Sequence, residues 1–252
     1  MSAAAPTTSD VRASKPAILT ISGLTAGYGD VQALWGVDLV VPKGEIVSIV
    51  GPNGTGKTTL LLAISGMVRA RNGSIKFEGE EIGNLGADRI VGKGLIHVPE
   101  GRRLFPTLSV RDNLMLGSYL RQDSAADIAR DLDFVFSIFP ILAERSNQGA
   151  TTMSGGEQQM CAIGRGIMAR PKLLLIDELS LGLSPKAVEL LADSLIKINQ
   201  QGISILLVEQ DVMTAFELAS TGYVLESGRV RMHGDTQTLL QDPSVQSAYM
   251  GL

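Results

Sequence analysis

Cysteine and aromatic residues are scarce in this 252-residue chain. The single cysteine, Cys161, excludes a disulfide within the chain and is typical of a protein from a reducing compartment. Aromatic residues make up 4% of the sequence, and 22 Lys and Arg residues against 26 Asp and Glu residues give a net charge of −4. This composition argues against a protein that coats nucleic acid or stacks on its bases, so we expect no nucleic-acid partner.

Long hydrophobic runs are also lacking. No segment approaches the roughly 20 apolar residues that a membrane-spanning helix needs. Residues 1–16 lack the basic start and the apolar centre of a secretory signal, and their Ala, Ser, Thr and Pro content is typical of a flexible leader. We therefore expect a flexible leader over residues 1–16, one folded domain over residues 17–252 and a cytoplasmic location.

Short apolar runs alternate with longer helical patterns along the chain, which is typical of a parallel sheet with crossover helices. The clearest strands are apolar almost throughout, as strands buried on both faces should be. They are residues 45–50, 173–176 and 203–208. Helical patterns lie at about 57–67, 156–169, 185–200 and 212–219. The sequence therefore predicts an α/β fold with a mostly parallel sheet and flanking helices.

Two other regions do not fit a parallel sheet. Residues 17–22, 37–41 and 74–78 resemble antiparallel strands, and Ser227-Gly228 is a hairpin signal between residues 223–226 and 229–232. After Pro106 the chain carries little β signal and two amphipathic helix patterns, at about 109–120 and 124–138. We therefore predict an N-terminal antiparallel β subdomain and an inserted α-helical subdomain at about residues 106–160.

A full match to the phosphate-loop pattern lies between the strand at 45–50 and the helix that begins at 57. Its glycines let the backbone wrap a polyphosphate, while loop N–H groups and the helix N-terminus supply positive potential. Lys57 is expected to reach the β- and γ-phosphates, and the Thr58 hydroxyl to bind Mg²⁺. The alternative is a Gly-rich turn that matches by chance. The predicted nucleotide-binding residues are Gly51, Pro52, Asn53, Gly54, Thr55, Gly56, Lys57, Thr58 and Thr59.

A second motif places two acidic residues at the end of the strand at 173–176. Asp177 suits the second Mg²⁺ anchor of a phosphate-loop NTPase (P-loop NTPase) core. Glu178 is placed to orient and deprotonate an attacking water. An acidic strand edge without function is the alternative, and the preceding phosphate loop counts against it.

A third motif, Ser154-Gly155-Gly156, stands before a helix and offers N–H groups that suit an anion. By itself it would be interpreted as an ordinary helix N-cap. Since the chain has one phosphate loop, a second anion site would serve the ATP of another chain. With this motif the sequence resembles, from about residue 17 to its end, the ATP-binding subunits of ABC transporters, whose signature is LSGGQ.

The resemblance assigns roles to further residues. Tyr28 matches the aromatic residue that stacks on adenine, and Ser180–Ser184 match the D-loop, which touches the opposite subunit. Glu100 stands where the family has its Q-loop glutamine, which implies a catalytic and metal-binding position near Mg²⁺. Gln210 stands where the family has its switch histidine, which implies a catalytic contact with the γ-phosphate.

Glu100 and Gln210 depart from the family pattern. The chain has two histidines, His97 and His233, and neither follows the strand at 203–208. The Gln210 amide can donate a neutral hydrogen bond but cannot carry a proton. Further departures are Glu157 in place of glutamine and Leu179 in place of proline. We still expect ATP hydrolysis, because the phosphate loop and the acidic pair are intact.

The segments HVPEGRRLFPTLSVRDNL, SGGEQQM, DELSLGLSP and LVEQD narrow the resemblance. They are similar to the paired ATPases of high-affinity branched-chain amino acid importers, and the importers of urea and short amides share the pattern. The resemblance implies ATP and Mg²⁺ as cofactors and a position on the inner face of the cell membrane. It also implies integral-membrane permease subunits that dock near Gly101–Leu116, a sister ATPase subunit in a heterodimer (a homodimer in isolation), and a periplasmic binding protein as an indirect partner.

Two alternatives come from other classes. A soluble ABC-type ATPase in regulation or assembly would share the ATP site and lack a membrane partner. A small-molecule kinase with a phosphate loop is disfavoured, because it should lack the Ser154 motif.

Overall fold

Two β-sheets and the helices around them form the fold in the computed structural model, which describes residues 15–247. The strands are β1 (Ala17–Tyr28), β2 (Val31–Pro42), β3 (Ile46–Val50), β4 (Ala70–Phe77), β5 (Glu80–Glu81), β6 (Leu95–Val98), β7 (Leu173–Asp177), β8 (Ser204–Glu209), β9 (Thr221–Glu226) and β10 (Arg229–Asp235). The helices are α1 (Lys57–Ile64), α2 (Ala87–Gly92), α3 (Val110–Met115), α4 (Ala125–Ile138), α5 (Pro140–Glu144), α6 (Gly155–Met168), α7 (Pro185–Gln200), α8 (Val212–Leu218), α9 (Thr236–Leu240) and α10 (Pro243–Val245). No helix in this described range is both long and apolar enough to cross a membrane.

The larger sheet has the strand order β10-β9-β3-β8-β7-β6. All its pairings are parallel except that of β10 with β9. Every residue of β3, β7 and β8 is buried, which explains their continuous apolar sequences. Because parallel strands end at the same edge, the phosphate loop after β3, Asp177 of β7 and Glu209 of β8 are brought together there.

The smaller sheet is antiparallel and has the order β2-β1-β4-β5. Strands β1 and β2 each have 12 residues, so they are longer than the sequence predicted. The apolar pattern breaks at Gly23, where the pairing of β1 with β2 shifts between Ile21 and Leu24. Such a bulge leaves the strand continuous but changes which residues face inward. The sequence pattern therefore predicted only the first half of β1.

Helices α3, α4 and α5 pack against α6 and share one hydrophobic core with β6 and β7. The single helix predicted at about 109–120 is wrong, because α3 ends at Met115 and a 3₁₀ turn follows over Leu116–Ser118. Gly117 explains the change. A Cβ atom on Gly117 would lie 2.0 Å from the Arg165 carbonyl oxygen, so the turn approaches α6 backbone to backbone.

The predicted fold class is confirmed: a mostly parallel sheet with flanking helices, an N-terminal antiparallel subdomain and an inserted helical subdomain. The helix predicted at 57–67 ends earlier, at Ile64. The leader at 1–16 and the extents of the domain (17–252) and of the insertion (106–160) stay predictions. Residues 1–14 and 248–252 lie outside the described residues.

Asn113 holds the loop that leads into the helical subdomain. Its side chain is fully buried, and its Oδ1 accepts a hydrogen bond from the Phe105 N–H at 2.8 Å. Its Nδ2 donates to the carbonyl oxygens of Phe105 and Ser109, at 3.1 and 3.0 Å. The Asn113 amide therefore supplies the partner of the Phe105 N–H and adds a second donor to carbonyl groups that backbone N–H groups already contact.

We predict that Asn113→Ala lowers the free energy of unfolding by about 1–3 kcal/mol, because it leaves the Phe105 N–H without its partner and removes the contacts of a fully buried side chain. Urea unfolding followed by circular dichroism measures the change. Asn147→Ala is the control, since Asn147 is exposed in the same subdomain and should change stability by less than about 0.5 kcal/mol. Equal effects of the two substitutions would contradict the role given to Asn113.

Candidate nucleotide-binding site

The loop between β3 and α1 has a backbone that only glycine adopts easily at several positions. Gly54 and Gly56 have φ angles of 80° and 104°, in the left-handed region. A Cβ atom on Gly51 would lie 2.2 Å from the Leu225 carbonyl oxygen of β9. Inside the loop, the Thr55 hydroxyl donates to the Pro52 carbonyl oxygen at 2.9 Å. The loop thus has a defined structure of the kind whose backbone N–H groups can hold an anion.

Lys57 occupies the inside of this loop and is 4% exposed. Its Nζ donates to the carbonyl oxygens of Gly51 and Pro52, at 2.7 and 3.1 Å. Burial lowers the pKa of Lys57, and the neighbouring carboxylates of Glu178, Asp177, Glu209 and Glu100 oppose that shift. An entering phosphate would offer the ammonium a charged acceptor in place of two neutral carbonyl oxygens.

Asp177 is the buried acid of the site, with 1% exposure. Its Oδ1 lies 3.4 Å from the Thr58 hydroxyl, which donates to it, and its Oδ2 is buried without a hydrogen-bond partner. Burial raises the pKa of Asp177 to about 6, helped by Glu178 and Glu100 and opposed by the Thr58 hydrogen bond. A buried carboxylate oxygen without a partner is costly, so this arrangement fits a bound cation.

Magnesium fits the groups around Asp177. In residues 15–247, no group of three or more His, Cys, Asp or Glu side chains is placed to hold a metal ion by itself. Mg²⁺ does not need such a cage, because it binds through one or two protein oxygens together with water and substrate phosphates. The Thr58 hydroxyl and the free Asp177 Oδ2 are oxygens of this kind.

Glu178 follows Asp177 in an unusual backbone conformation. Its φ is 51°, and its N–H donates to the Val208 carbonyl oxygen at 2.9 Å. A glutamate in the left-handed region is disfavoured, and such residues are concentrated at functional sites. The charge of Glu178 acts on both Lys57 and Asp177, so the acid predicted as the base lies within the same cluster.

Three other predicted residues lie at the rim of the site. Tyr28 is 51% exposed at the end of β1, and its hydroxyl accepts from the Thr59 hydroxyl at 3.5 Å. Glu100 is exposed after β6, and Gln210 is exposed after β8. Side chains that are accessible beside the loop can contact a ligand that covers it.

The two histidines have other neighbours. His97 on β6 has its Nδ1 3.3 Å from the Ser65 hydroxyl oxygen, and burial lowers its pKa to about 4. His233 on β10 stacks on the ring of Tyr223, with 5.5 Å between ring centroids.

Ser154 begins α6 and is exposed. Its N–H donates to Glu157 Oε2 at 2.8 Å, and its hydroxyl accepts from the Glu157 N–H at 3.4 Å. Glu157, which departs from the family signature, thus completes a capping box that fixes the helix start. Gly155 lies close to the Arg102 guanidinium, since a Cβ atom there would be 3.0 Å from Arg102 Nη2. A Cβ atom on Gly155 would also lie 3.4 Å from Leu183 Cδ2, and one on Gly156 would lie 2.9 Å from Ala187 Cβ, so the motif packs against the loop after β7 and the start of α7.

Sequence reasoning missed two parts of the site. Glu209 is a buried carboxylate at the end of β8, and an acidic residue that closes an apolar strand, as Asp177 does, was the available signal. The second part is the turn between β9 and β10, which forms a hydrogen bond with the phosphate loop. The Gly228 N–H donates to the Thr55 carbonyl oxygen at 2.9 Å, and the Trp35 N–H of β2 donates to the Gly228 carbonyl oxygen at 2.8 Å.

We predict that Gly228→Ala weakens ATP binding on the order of tenfold or more, because a shifted turn would move the phosphate loop. A Cβ atom on Gly228 would lie 2.1 Å from the Ala33 carbonyl oxygen, and the φ there is 75°. Gly36→Ala is the matched control, with a φ of 74° and no atom within 4 Å of the added Cβ. Titration of each variant with ATP, alongside its unfolding curve, separates the clash from backbone strain. Equal losses of affinity in both variants would contradict a role for the turn.

Residues 34–180 match the ABC transporter family. The chain is 44% identical to the high-affinity branched-chain amino acid transport ATP-binding protein BraG of Pseudomonas aeruginosa, over 93% of this chain and 100% of BraG. It is 34% identical to a probable branched-chain amino acid transport ATP-binding protein, LivF, of Archaeoglobus fulgidus, over 91% of this chain and 97% of LivF.

A solved structure of an ATP-binding cassette of an ABC transporter in its ADP conformation shares the fold, with a TM-score of 0.82 and 24% identity over 94% of this chain and 100% of that chain. With the phosphate loop, the acidic pair and these relatives together, the chain belongs to the ABC transporter family and is an ATP-hydrolysing, ATP-binding subunit of an ABC transporter.

Proposed function

We propose that this subunit powers the import of branched-chain amino acids through membrane permease subunits. The observation that carries the proposal is the 44% identity to BraG, a transport ATP-binding protein for these amino acids, over its full length. The chemistry of the site supports the ATPase part of the proposal, because the phosphate loop, Asp177 and Glu178 lie together at one edge of the larger sheet.

One chain would bind ATP through its phosphate loop. The N–H groups of residues 51–56 and the Lys57 ammonium would hold the β- and γ-phosphates, and the exposed Tyr28 ring would stack on adenine. Thr58 and Asp177 would hold Mg²⁺ between them, with Glu100 near it at the rim. When bound, Mg²⁺ would supply positive charge that offsets the negative charge developing on the phosphate.

Hydrolysis would depend on Glu178 and Gln210. The Glu178 carboxylate would accept a proton from the attacking water and orient that water towards the γ-phosphorus. The Gln210 amide would donate a hydrogen bond to a γ-phosphate oxygen in place of the usual imidazole. Because that amide cannot carry a proton, Glu178 is the only one of the two that can serve as base.

A second ATPase subunit would complete each site. Ser154, Gly155 and Gly156 stand at a helix start, where Ser154 is exposed, Gly155 is half-buried and Gly156 is buried. The accessible start of this helix suits the γ-phosphate of an ATP held by the partner. Two subunits arranged head to tail would enclose two ATP molecules, and cleavage of the γ-phosphate would loosen the pair. We expect a heterodimer with a sister ATPase in the working complex and a homodimer in isolation.

The permease would dock in an apolar groove of about 400 Å³ beside the helical subdomain. Its lining includes Met67, Leu116, Tyr119 and Leu120, whose side chains are 37–81% exposed. Exposed apolar side chains clustered in one groove are typical of a protein interaction site. The groove overlaps the predicted docking segment Gly101–Leu116 at its end. Docking there would hold the subunit at the inner face of the membrane, with the periplasmic binding protein as an indirect partner.

We predict that Glu178→Gln binds ATP as the unchanged protein does, loses about 10²-fold or more of its turnover, and accumulates as an ATP-bound dimer. The amide keeps the shape of the side chain but cannot accept the proton. Phosphate release measures turnover, and size-exclusion chromatography with ATP measures the dimer. Glu144→Gln, at an exposed position of α5, is the control and should behave as the unchanged protein. Unchanged turnover in Glu178→Gln would remove Glu178 from the base role.

The solute is tested in the complex purified with its membrane subunits and reconstituted in liposomes. We expect leucine, isoleucine or valine, delivered with the binding protein, to stimulate ATP hydrolysis and to accumulate in the compartment that faces the ATPase. Stimulation by urea or short amides alone would replace the proposed solute class. Failure of any membrane protein to co-purify from detergent extracts would instead favour a soluble ATPase without a transport role.

A further inference from the structure

The Glu209 carboxylate is a buried acid that the proposed hydrolysis does not use. It is 1% exposed at the end of β8. Its Oε1 accepts the Ser180 N–H at 2.9 Å, and its Oε2 accepts the Ser180 hydroxyl at 2.9 Å and the Gln210 N–H at 3.2 Å. Burial raises the pKa of Glu209, and these hydrogen bonds oppose the shift. A buried carboxylate with three donors is a built feature of the site rather than a residue left over from the strand.

The donors come from two different loops of the site. Ser180 lies in the loop after β7, two residues beyond Glu178, and Gln210 begins the loop after β8. No direct hydrogen bond between the side chains of Glu178 and Gln210 is among the contacts in the described range. The Glu209 side chain therefore joins the segment that carries the base to the segment that carries the amide.

The surroundings of Glu209 connect it to the rest of the cluster. The register of β3 with β8 places Glu209 beside Val50, the residue before the phosphate loop. Its charge acts on Lys57, and the charge of Glu178 acts on Glu209. Movement of Glu209 would thus change the loop after β7, the loop after β8 and the field at Lys57 together.

We propose that Glu209 is a positioning residue for ATP hydrolysis, which holds Glu178 and Gln210 in the relative geometry that lets both act on one γ-phosphate. The proposal rests on the proposed roles of Glu178 and Gln210. It adds that the geometry of the two residues is set by one side chain and not by each loop separately.

Glu209→Gln tests this with almost no change in volume. The amide has one acceptor oxygen in place of two, so it cannot keep all three of the hydrogen bonds that the carboxylate accepts. With the oxygen at the Oε1 position it keeps the Ser180 N–H and loses the Gln210 N–H. With the oxygen at the Oε2 position it keeps the Ser180 hydroxyl and the Gln210 N–H, but its NH₂ group then faces the Ser180 N–H. We expect kcat to fall about tenfold or more while KM for ATP changes much less, because Glu209 acts on Lys57 only through its charge and makes no hydrogen bond to the phosphate loop in the described part of the chain. Glu217→Gln, exposed on α8, is the control and should leave both constants unchanged.

A double-mutant cycle separates positioning from a merely structural role. We expect Glu209→Gln combined with Gln210→Ala to lower kcat by clearly less than the product of the single effects. By itself, Ser180→Ala removes the hydroxyl donor and keeps the Glu209 carboxylate. We expect its combination with Glu209→Gln also to lower kcat by clearly less than the product of the two single effects. Multiplicative effects in both cycles, an unchanged kcat in Glu209→Gln, or a loss of kcat matched by a loss of folded protein would each overturn the proposal.

The proposed function fails separately. If Glu178→Gln retains turnover, the base assignment is wrong whatever Glu209 does. If Gln210→Ala alone is neutral, the cycle with Ser180→Ala still decides whether Glu209 acts through the Glu178 loop.

Discussion

One buried ammonium facing several carboxylates is the interaction on which the site depends. Lys57 is enclosed by the phosphate loop, and Asp177, Glu178, Glu209 and Glu100 all act on its charge. Four carboxylates surround one ammonium, so the cluster by itself repels a polyphosphate that the Lys57 ammonium alone would attract. A divalent cation held by Thr58 and Asp177 would relieve this conflict, because its charge would offset those of the carboxylates and of the phosphates. The imbalance is therefore a reason to expect the magnesium complex of ATP as the ligand.

The parallel sheet creates this crowding. Strands β3, β7 and β8 are buried throughout and lie side by side, so the residues that follow them meet at one edge. Continuous apolar runs that end in Gly51, in Asp177-Glu178 and in Glu209-Gln210 were visible in the sequence. For this reason the fold class and the phosphate loop could be predicted without coordinates. The antiparallel subdomain was also predicted, although the bulge at Gly23 concealed the true length of its strands.

What the sequence did not reveal depends on contacts between distant segments. The Gly228 N–H donates to the Thr55 carbonyl oxygen, although more than half the chain separates the two residues in sequence. No local sequence pattern predicts that contact. Likewise the helix expected at 109–120 ends early because Gly117 lies against the Arg165 backbone. The periodicity of apolar residues carries no information on such a contact. The role of Glu209 likewise depends on hydrogen bonds to Ser180, which is 29 residues away along the chain. The Ser154 motif was found from the family signature, and its role towards a partner's ATP rests on a second subunit.

The dependence of ATP affinity on Mg²⁺ tests the central claim most directly. Isothermal titration with ATP of the wild-type protein and of Asp177→Asn, each with Mg²⁺ and with a chelator, measures how much of the effect of Mg²⁺ on ATP affinity depends on Asp177. If the cation relieves the crowding at Asp177, Mg²⁺ will strengthen ATP binding in the unchanged protein, and most of that gain will be lost in Asp177→Asn. An equal gain from Mg²⁺ in both proteins would contradict the account, because the ion would then be held without the buried acid.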